Sequence, residues 1–361
     1  MSDNGRLLIY GAYGYTGELI ARRCVNRGLR PLLGGRDERR LRALAQDLSL
    51  AALPCALDDR AALEHGLRDV DVVLHCAGPF SATAAPMLEA ALASGTHYLD
   101  ITGELEVFQQ AMALARRARE ANVVLCPGAG FDVVPTDCLA ATLARALPQA
   151  THLALAFDSR SPLSPGTSKT ALEGMAGGGR ACVDGRIVPV PLASTTRRID
   201  FGDGEKLTMS IGWGDLVTAP ASTGIGNVEV YVPISSHALR RLRRAAWFQP
   251  LLRVPGVVPF LKAFVGARIQ GPSAAVREDT PTRLWGEARD QHTGASRVAR
   301  LTTPNGYELT VDAAVTIAEH LLSTTAQGGY YTPSMLMGAD FVCRLPGVSA
   351  IALEGEDSSE A

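Results

Sequence analysis

The sequence predicts an α/β protein in two parts: an N-terminal doubly wound domain around a parallel sheet, then a second α+β domain carrying a mostly antiparallel sheet. Three observations support this. Short apolar runs alternate with helical patterns from Arg6 to Cys126, the order of a doubly wound, Rossmann-type fold. The run Asp71-Val72-Val73-Leu74-His75-Cys76 shows no polar alternation, so it is buried on both faces and its sheet is parallel. Beyond residue 150 the strand-like segments alternate polar with apolar residues between Gly- and Pro-rich turns, the habit of an antiparallel sheet. At 361 residues the chain exceeds the size at which one core keeps growing, which agrees with two domains. The expected division is 1–150 for the Rossmann domain, 151–329 for the α+β domain, and 330–361 for a helix returning to the Rossmann domain and an acidic tail.

The elements follow in order. Strands are expected at 6–10, 30–35, 52–57, 71–76, 97–101 and 123–126, with helices at 18–27, 38–48, 59–66, 84–94 and 105–121. In the second part, strands are expected at 152–158, 197–201, 206–211, 227–232, 296–302 and 307–311. Helices are expected at 168–177, within 237–265, at 312–324 and at 333–344.

Composition narrows the class. The net charge of -2 lacks the basic balance of a nucleic-acid binder. No charged segment followed by a long apolar run opens the chain, so a cytoplasmic location is expected. The seven cysteines are scattered and never form a Cys-x-x-Cys pair, which predicts reduced thiols and no metal site. His75, His97 and His237 also lack metal-ligand spacing.

The strongest local signal is Gly11-Ala12-Tyr13-Gly14-Tyr15-Thr16-Gly17, between the first strand and the first helix. Glycines there permit a tight turn and close backbone approach to a pyrophosphate, and the helix N-terminus faces the phosphates with its N–H groups. The second strand ends in Gly34-Gly35-Arg36-Asp37. An NAD site usually places a carboxylate at that tip, whereas Arg36 presents a fork of N–H groups suited to a 2′-phosphate, with Arg40 one turn later. NADP(H) is therefore the expected cofactor, with Asp37 expected to cap the following helix. Leu57 and Asp58 should line the adenine, and Cys76, Ala77, Gly78 and Pro79 should run under the nicotinamide ribose, since ligands bind outside the carboxyl ends of such strands.

Hydride transfer asks for positioning and a proton source. Glu104 and Asp132 follow the fifth and sixth strands and are the candidate catalytic acids. Helix capping is the structural alternative for Asp132, and a first-turn helix acid for Glu104. Thr167 and Ser168 open an expected helix whose N–H and hydroxyl groups suit a carboxylate or thioester oxygen of a small-molecule or acyl substrate; a plain N-cap is the alternative. No unmistakable acid–base pair is present, so a catalytically inactive cofactor-binding scaffold stands as the second reading. The stretch 237–268 opens with Arg240, Arg241, Arg243 and Arg244 and then turns apolar. Two short core helices are one reading of it. A lip for a long acyl chain, for a second copy in a homodimer or for peripheral contact with an anionic membrane is the other.

Several of these stretches together resemble the saccharopine dehydrogenase-like oxidoreductases, in their trans-acting enoyl reductase branch. They are Gly11–Gly17, Gly35-Arg36, Gly78-Pro79-Phe80, Tyr98–Glu104, Gly130–Asp137 and Thr332–Gly338. The resemblance implies an NADP-binding Rossmann domain, a second domain inserted late in the chain and a C-terminal helix returning to the first. It implies reduction of an imine or of an enoyl double bond, and leaves the substrate open.

Overall fold

The computed structural model describes residues 6–159, 178–245 and 280–354. They gather into two compact units, the first made of 1–134 with 307–337 and the second of 135–306 with 338–361.

The first unit is built on a seven-stranded sheet in the order β15-β6-β5-β4-β1-β2-β3. Its strands are β1 (Leu7–Tyr10), β2 (Leu32–Gly35), β3 (Ala52–Pro54), β4 (Val72–His75), β5 (His97–Asp100), β6 (Val124–Cys126) and β15 (Gly329–Tyr330). Every pairing among them is parallel. All residues of β1 and β4 are buried, the mark of a sheet covered on both faces. The chain moves outward from β1 to β3, then crosses to β4 and moves the other way. The carboxyl ends of β1 and β4 therefore flank the topological switch point, where such sheets bind ligands.

The connecting helices are α1 (Tyr15–Asn26), α2 (Glu38–Leu48), α3 (Arg60–Leu67), α4 (Phe80–Ser94), α5 (Leu105–Ala113) and α6 (Ala115–Glu120). Asp37 caps α2 by accepting from the Arg40 N–H at 3.0 Å, and Asp59 caps α3 by accepting from Ala62 at 3.0 Å. The single helix expected over 105–121 is divided at Leu114.

The late helix Gly306–Ser323 completes the first unit. It meets α1 through an ion network: Arg27 reaches Asp312 at 2.8 Å and Glu319 at 2.9 Å, and Arg23 pairs with Glu308 and Asp312. The strand expected at 307–311 is thus the start of this helix. Its Tyr-Glu-Leu-Thr-Val alternation imitates a strand, but Leu309 and Val311 are both buried among the helix's other apolar residues.

The second unit holds a nine-stranded sheet in the order β10-β11-β12-β7-β13-β14-β16, with the hairpin β8–β9 attached to β12. The strands are β7 (His152–Asp158), β8 (Gly179–Val183), β9 (Arg186–Val190), β10 (Thr196–Asp200), β11 (Glu205–Ile211), β12 (Asn227–Pro233), β13 (Thr282–Arg289), β14 (Ser296–Thr303) and β16 (Ala352–Glu354). Only β12 with β7 is parallel; the other pairings are antiparallel. The helix α7 (Val134–Ala146) packs on β13 so closely that a Cβ at Gly286 would sit 2.8 Å from Leu143.

These units divide the chain differently from the expected 1–150, 151–329 and 330–361. The first boundary falls at Val134, because α7 packs on the second sheet, and the later one at Gly306, because the helix after it pairs with α1. The helix expected over 333–344 is also divided. Pro333–Met337 belongs to the first unit, Gly338 turns the chain at φ +91°, and the 3-10 turn Phe341–Arg344 belongs to the second. No helix among the described residues is long and apolar enough to cross a membrane.

Candidate functional site

The loops at the carboxyl edge of the first sheet assemble around β1. Gly11 takes φ +82°, and a Cβ there would lie 2.7 Å from the Ala77 nitrogen. A Cβ at Gly17 would lie 2.4 Å from the Gly11 carbonyl oxygen. The glycines at these two positions therefore fix the turn itself. Gly14 is the N-cap of α1 and supplies no side chain, which leaves that helix terminus open to a phosphate group.

Tyr13 ties this turn to the end of β2. Its ring lies over Gly35, where a Cβ would come within 2.5 Å, and its hydroxyl accepts from the Asp37 N–H at 3.1 Å. Arg40 lies over the same ring at 4.8 Å and donates to the Tyr13 carbonyl at 3.1 Å. Arg36 is exposed and, among the described residues, has no hydrogen-bond or ion-pair partner. The tip of β2 thus offers an open guanidinium, while the carboxylate beside it, on Asp37, is turned into the cap of α2. That donor set fits a 2′-phosphate and lacks the free carboxylate that usually holds a bare ribose hydroxyl. Asp58 is exposed, next to the α3 cap Asp59.

The loop after β4 carries Cys76, Ala77, Gly78 and Pro79, with a cis peptide between the last two. Thr83 holds it by donating to the Ala77 carbonyl at 2.6 Å. His75 lies behind, fully buried, with Nε2 3.0 Å from the Thr83 hydroxyl. Burial drives the His75 pKa down to about 3, so the ring is neutral; with the Thr83 proton given to a carbonyl, Nε2–H is the donor. Burial also pushes the Cys76 thiol well up, so it stays protonated.

The acids after β5 and β6 form a connected cluster. Asp100 accepts from the Tyr98 hydroxyl at 2.6 Å, from Thr102 N–H at 2.9 Å and from Gly128 N–H at 2.8 Å. Burial raises its pKa to about 6 against those hydrogen bonds. Thr102 accepts from Glu104 N–H at 3.0 Å. The Glu104 carboxylate accepts from Phe80 N–H at 3.0 Å and from Ser81 N–H at 2.6 Å. It thereby caps α4, whose own N-cap is Pro79 and offers no side-chain acceptor. Asp132 lies on the face of Gly103, where a Cβ would meet its carboxylate at 2.9 Å. Burial first, and the neighbouring Glu104 charge second, push the Asp132 carboxyl up to about 7. The loop bearing Asp132 is anchored in turn by Thr310, which accepts from Phe131 N–H at 2.9 Å.

Of the residues named from sequence, the structure therefore gathers the glycine turn, Arg36, Arg40, the 76–79 loop, Glu104 and Asp132 onto loops of one sheet edge. Thr167 and Ser168 lie outside the described residues. Sequence reasoning did not find Tyr13 as the clasp to β2, or His75 and Thr83 as the support of the 76–79 loop. Tyr13 sits inside the glycine motif, but nothing in that motif shows its reach to β2, and no motif marks His75 or Thr83. A separate cavity of about 470 Å³ in the second unit, lined by residues including His152, Arg197, Glu229 and Glu287, shares none of these residues.

Residues 7–126 match the family described as "Saccharopine dehydrogenase NADP binding domain". This segment is thus similar to an NADP-binding domain, and the cofactor is NADP(H). A "Lipid droplet localized protein" of Caenorhabditis elegans is 28% identical over 147 residues, covering 36% of this chain and 34% of that protein. A "Trans-acting enoyl reductase" of Mycobacterium tuberculosis is 32% identical over 139 residues, covering 36% of this chain and 33% of that protein. The chain thus matches about a third of the length of each of these relatives. In fold, the apo saccharopine dehydrogenase (L-Glu forming) of Saccharomyces cerevisiae aligns with 97% of this chain and 99% of its own, at a TM-score of 0.65 and 12% identity. The family match stands on residues 7–126, and the likeness of fold extends over 97% of the chain.

Proposed function

We propose that the chain is an NADP(H)-dependent oxidoreductase of the saccharopine dehydrogenase-like type, reducing an enoyl, imine or keto group of a small or acyl metabolite. The observation that carries this reading is Asp132. It is a carboxyl group whose proton affinity is raised to about 7, on the sheet edge that also bears the dinucleotide turn. Reduction of such a group adds a hydride at one atom and a proton at another. NADPH supplies the hydride when bound, and Asp132 holds the proton, with its pKa near the working pH as general acid catalysis favours. Glu104 acts through others as a positioning residue: it fixes the N-terminus of α4, and so the 76–79 loop, and its charge keeps the Asp132 proton in place. Thr167 and Ser168 are assigned the substrate's carboxylate or thioester oxygen on the strength of the sequence.

The test is consumption of NADPH by the whole chain with a panel of enoyl thioesters, imines and keto acids. At least one class should be turned over, and Asp132→Asn should lower kcat by roughly 10²–10⁴-fold while leaving NADPH affinity near that of the parent. Tight NADPH binding with no turnover of any class would instead leave the cofactor-binding scaffold.

A further inference from the structure

The helix Ser236–Ala245 of the second unit has two different faces. Leu239 is buried and Leu242 half-buried, and they hold it to the unit. At 3.6 residues per turn, His237, Arg240, Arg241 and Arg244 share the opposite side, and all four are exposed. Arg243 borders that side and donates to the Ala193 carbonyl at 3.2 Å. Among the described residues, none of these four arginines has an ion-pair partner. Three other cations of the same unit are neutralised within it, Arg197 by Glu287 at 2.7 Å, Lys206 by Asp158 at 2.6 Å and Arg283 by Asp203 at 2.8 Å, while Arg145, Arg186 and Arg289 stand singly and form no such patch. Three guanidinium groups on one exposed face, with no ion-pair partner among the described residues, form a cationic patch suited to an anion from outside the chain.

The sequence around the helix narrows what that anion is. No Asp or Glu occurs between Glu229 and Glu278, while Arg253, Lys262, Arg268 and Arg277 add further positive charge. The arginines are followed at once by Trp247, Phe248, Leu251 and Leu252. Acid-free cationic charge beside Trp, Phe and Leu is the composition of segments that rest in a membrane interface, with cations for the headgroups and aromatic groups for the acyl boundary. We propose that the arginine face of Ser236–Ala245 docks this protein on an anionic phospholipid surface. The contact proposed is peripheral, since Arg253 and Lys262 interrupt the apolar run that follows the helix.

The test uses the whole chain and extruded vesicles. One set is phosphatidylcholine with a substantial fraction of phosphatidylglycerol, the other phosphatidylcholine alone. Co-sedimentation should occur with the anionic vesicles, weaken as salt is raised, and be much poorer with the neutral ones. The triple substitution Arg240→Gln, Arg241→Gln and Arg244→Gln should weaken binding to the anionic vesicles by roughly a hundredfold, at about fivefold per arginine. Thermal unfolding serves as the control for folding, and NADPH affinity should stay that of the parent because these residues lie outside the cofactor's unit. Equal sedimentation with both vesicle types, or a triple variant that binds like the parent, would overturn the proposal. So would a dimer in solution that the triple variant dissolves, since the face would then belong to a second copy of the chain.

Discussion

Arg36 and Asp37 stand side by side at the tip of β2 and have opposite tasks. The aspartate faces back to the Arg40 N–H and caps its own helix, so its charge is spent locally. The arginine is exposed, has no hydrogen-bond or ion-pair partner among the described residues, and carries the donors that suit a 2′-phosphate. A charge-assisted hydrogen bond contributes about 1.5–3 kcal/mol, so Arg36→Ala should weaken NADPH by roughly ten- to a hundredfold or somewhat more and leave NADH nearly unchanged. Titration of both nucleotides with both proteins checks this, and a parallel loss for NADH would remove the arginine from the phosphate. Asp132 makes a second residue-scale prediction. Its pKa is about 7 in the folded chain and ordinary for a carboxylate in the unfolded one. Between those values the folded state binds more protons than the unfolded state. Stability contributed by this group is therefore present in acid and lost as pH rises toward and through 7. Denaturant midpoints of the wild type should fall more between pH 5 and pH 8 than those of Asp132→Asn. Identical pH profiles for the two proteins would show that the Asp132 proton affinity is not raised.

Between α1 and the helix Gly306–Ser323, the network centres on one carboxylate. Asp312 is only 8% exposed at its side chain and takes both Arg23 and Arg27. Asp312→Ala leaves two half-buried guanidinium groups short of their anion and should cost about 2–3 kcal/mol in denaturant unfolding. Arg22, paired with Glu18 and Asp47 on the surface, is the comparison: Arg22→Ala should cost under about 1 kcal/mol. Similar losses for both would deny the network its role. These elements also show what a sequence discloses. The parallel strands were legible because burial on both faces writes an unbroken apolar run, as in Val72–His75. The glycine turn was legible because only glycine tolerates φ +82° against Ala77. The strand β13 was not, because its middle is Gly286, chosen by the approach of α7 rather than by strand propensity. The helix Asp215–Thr223 was hidden by the Pro220 inside it. At the site, the chemistry of Arg36 and Asp132 could be guessed from position. The task of Glu104 could not, because its partners Phe80 and Ser81 lie more than twenty residues away in sequence.

At the scale of the molecule, the cofactor domain is discontinuous. Every residue assigned to the nucleotide lies before Val134, yet the unit that holds them closes only with 307–337. That return contributes β15, paired to β6, and a helix with Leu309, Val311, Val315, Ile317 and Leu321 buried. Thr310 also anchors the loop that carries Asp132. Full burial of one such side chain contributes about 1.5–3 kcal/mol, so five amount to on the order of 10 kcal/mol, an upper figure because unfolded chains bury some surface already. Even half of that equals the whole stability of a marginal domain, about 5 kcal/mol. A chain ended after Asn305 should therefore fail to bind NADPH and should unfold without a cooperative transition, although it keeps the entire matched segment 7–126. A chain ended after Glu354 loses only the acidic tail and should bind as the parent does. Isothermal titration with NADPH and thermal unfolding of the two truncated chains decide the matter. A fragment ending at Asn305 that binds NADPH within a fewfold of the parent would make the N-terminal segment self-sufficient, and the returning helix a cover rather than part of its core.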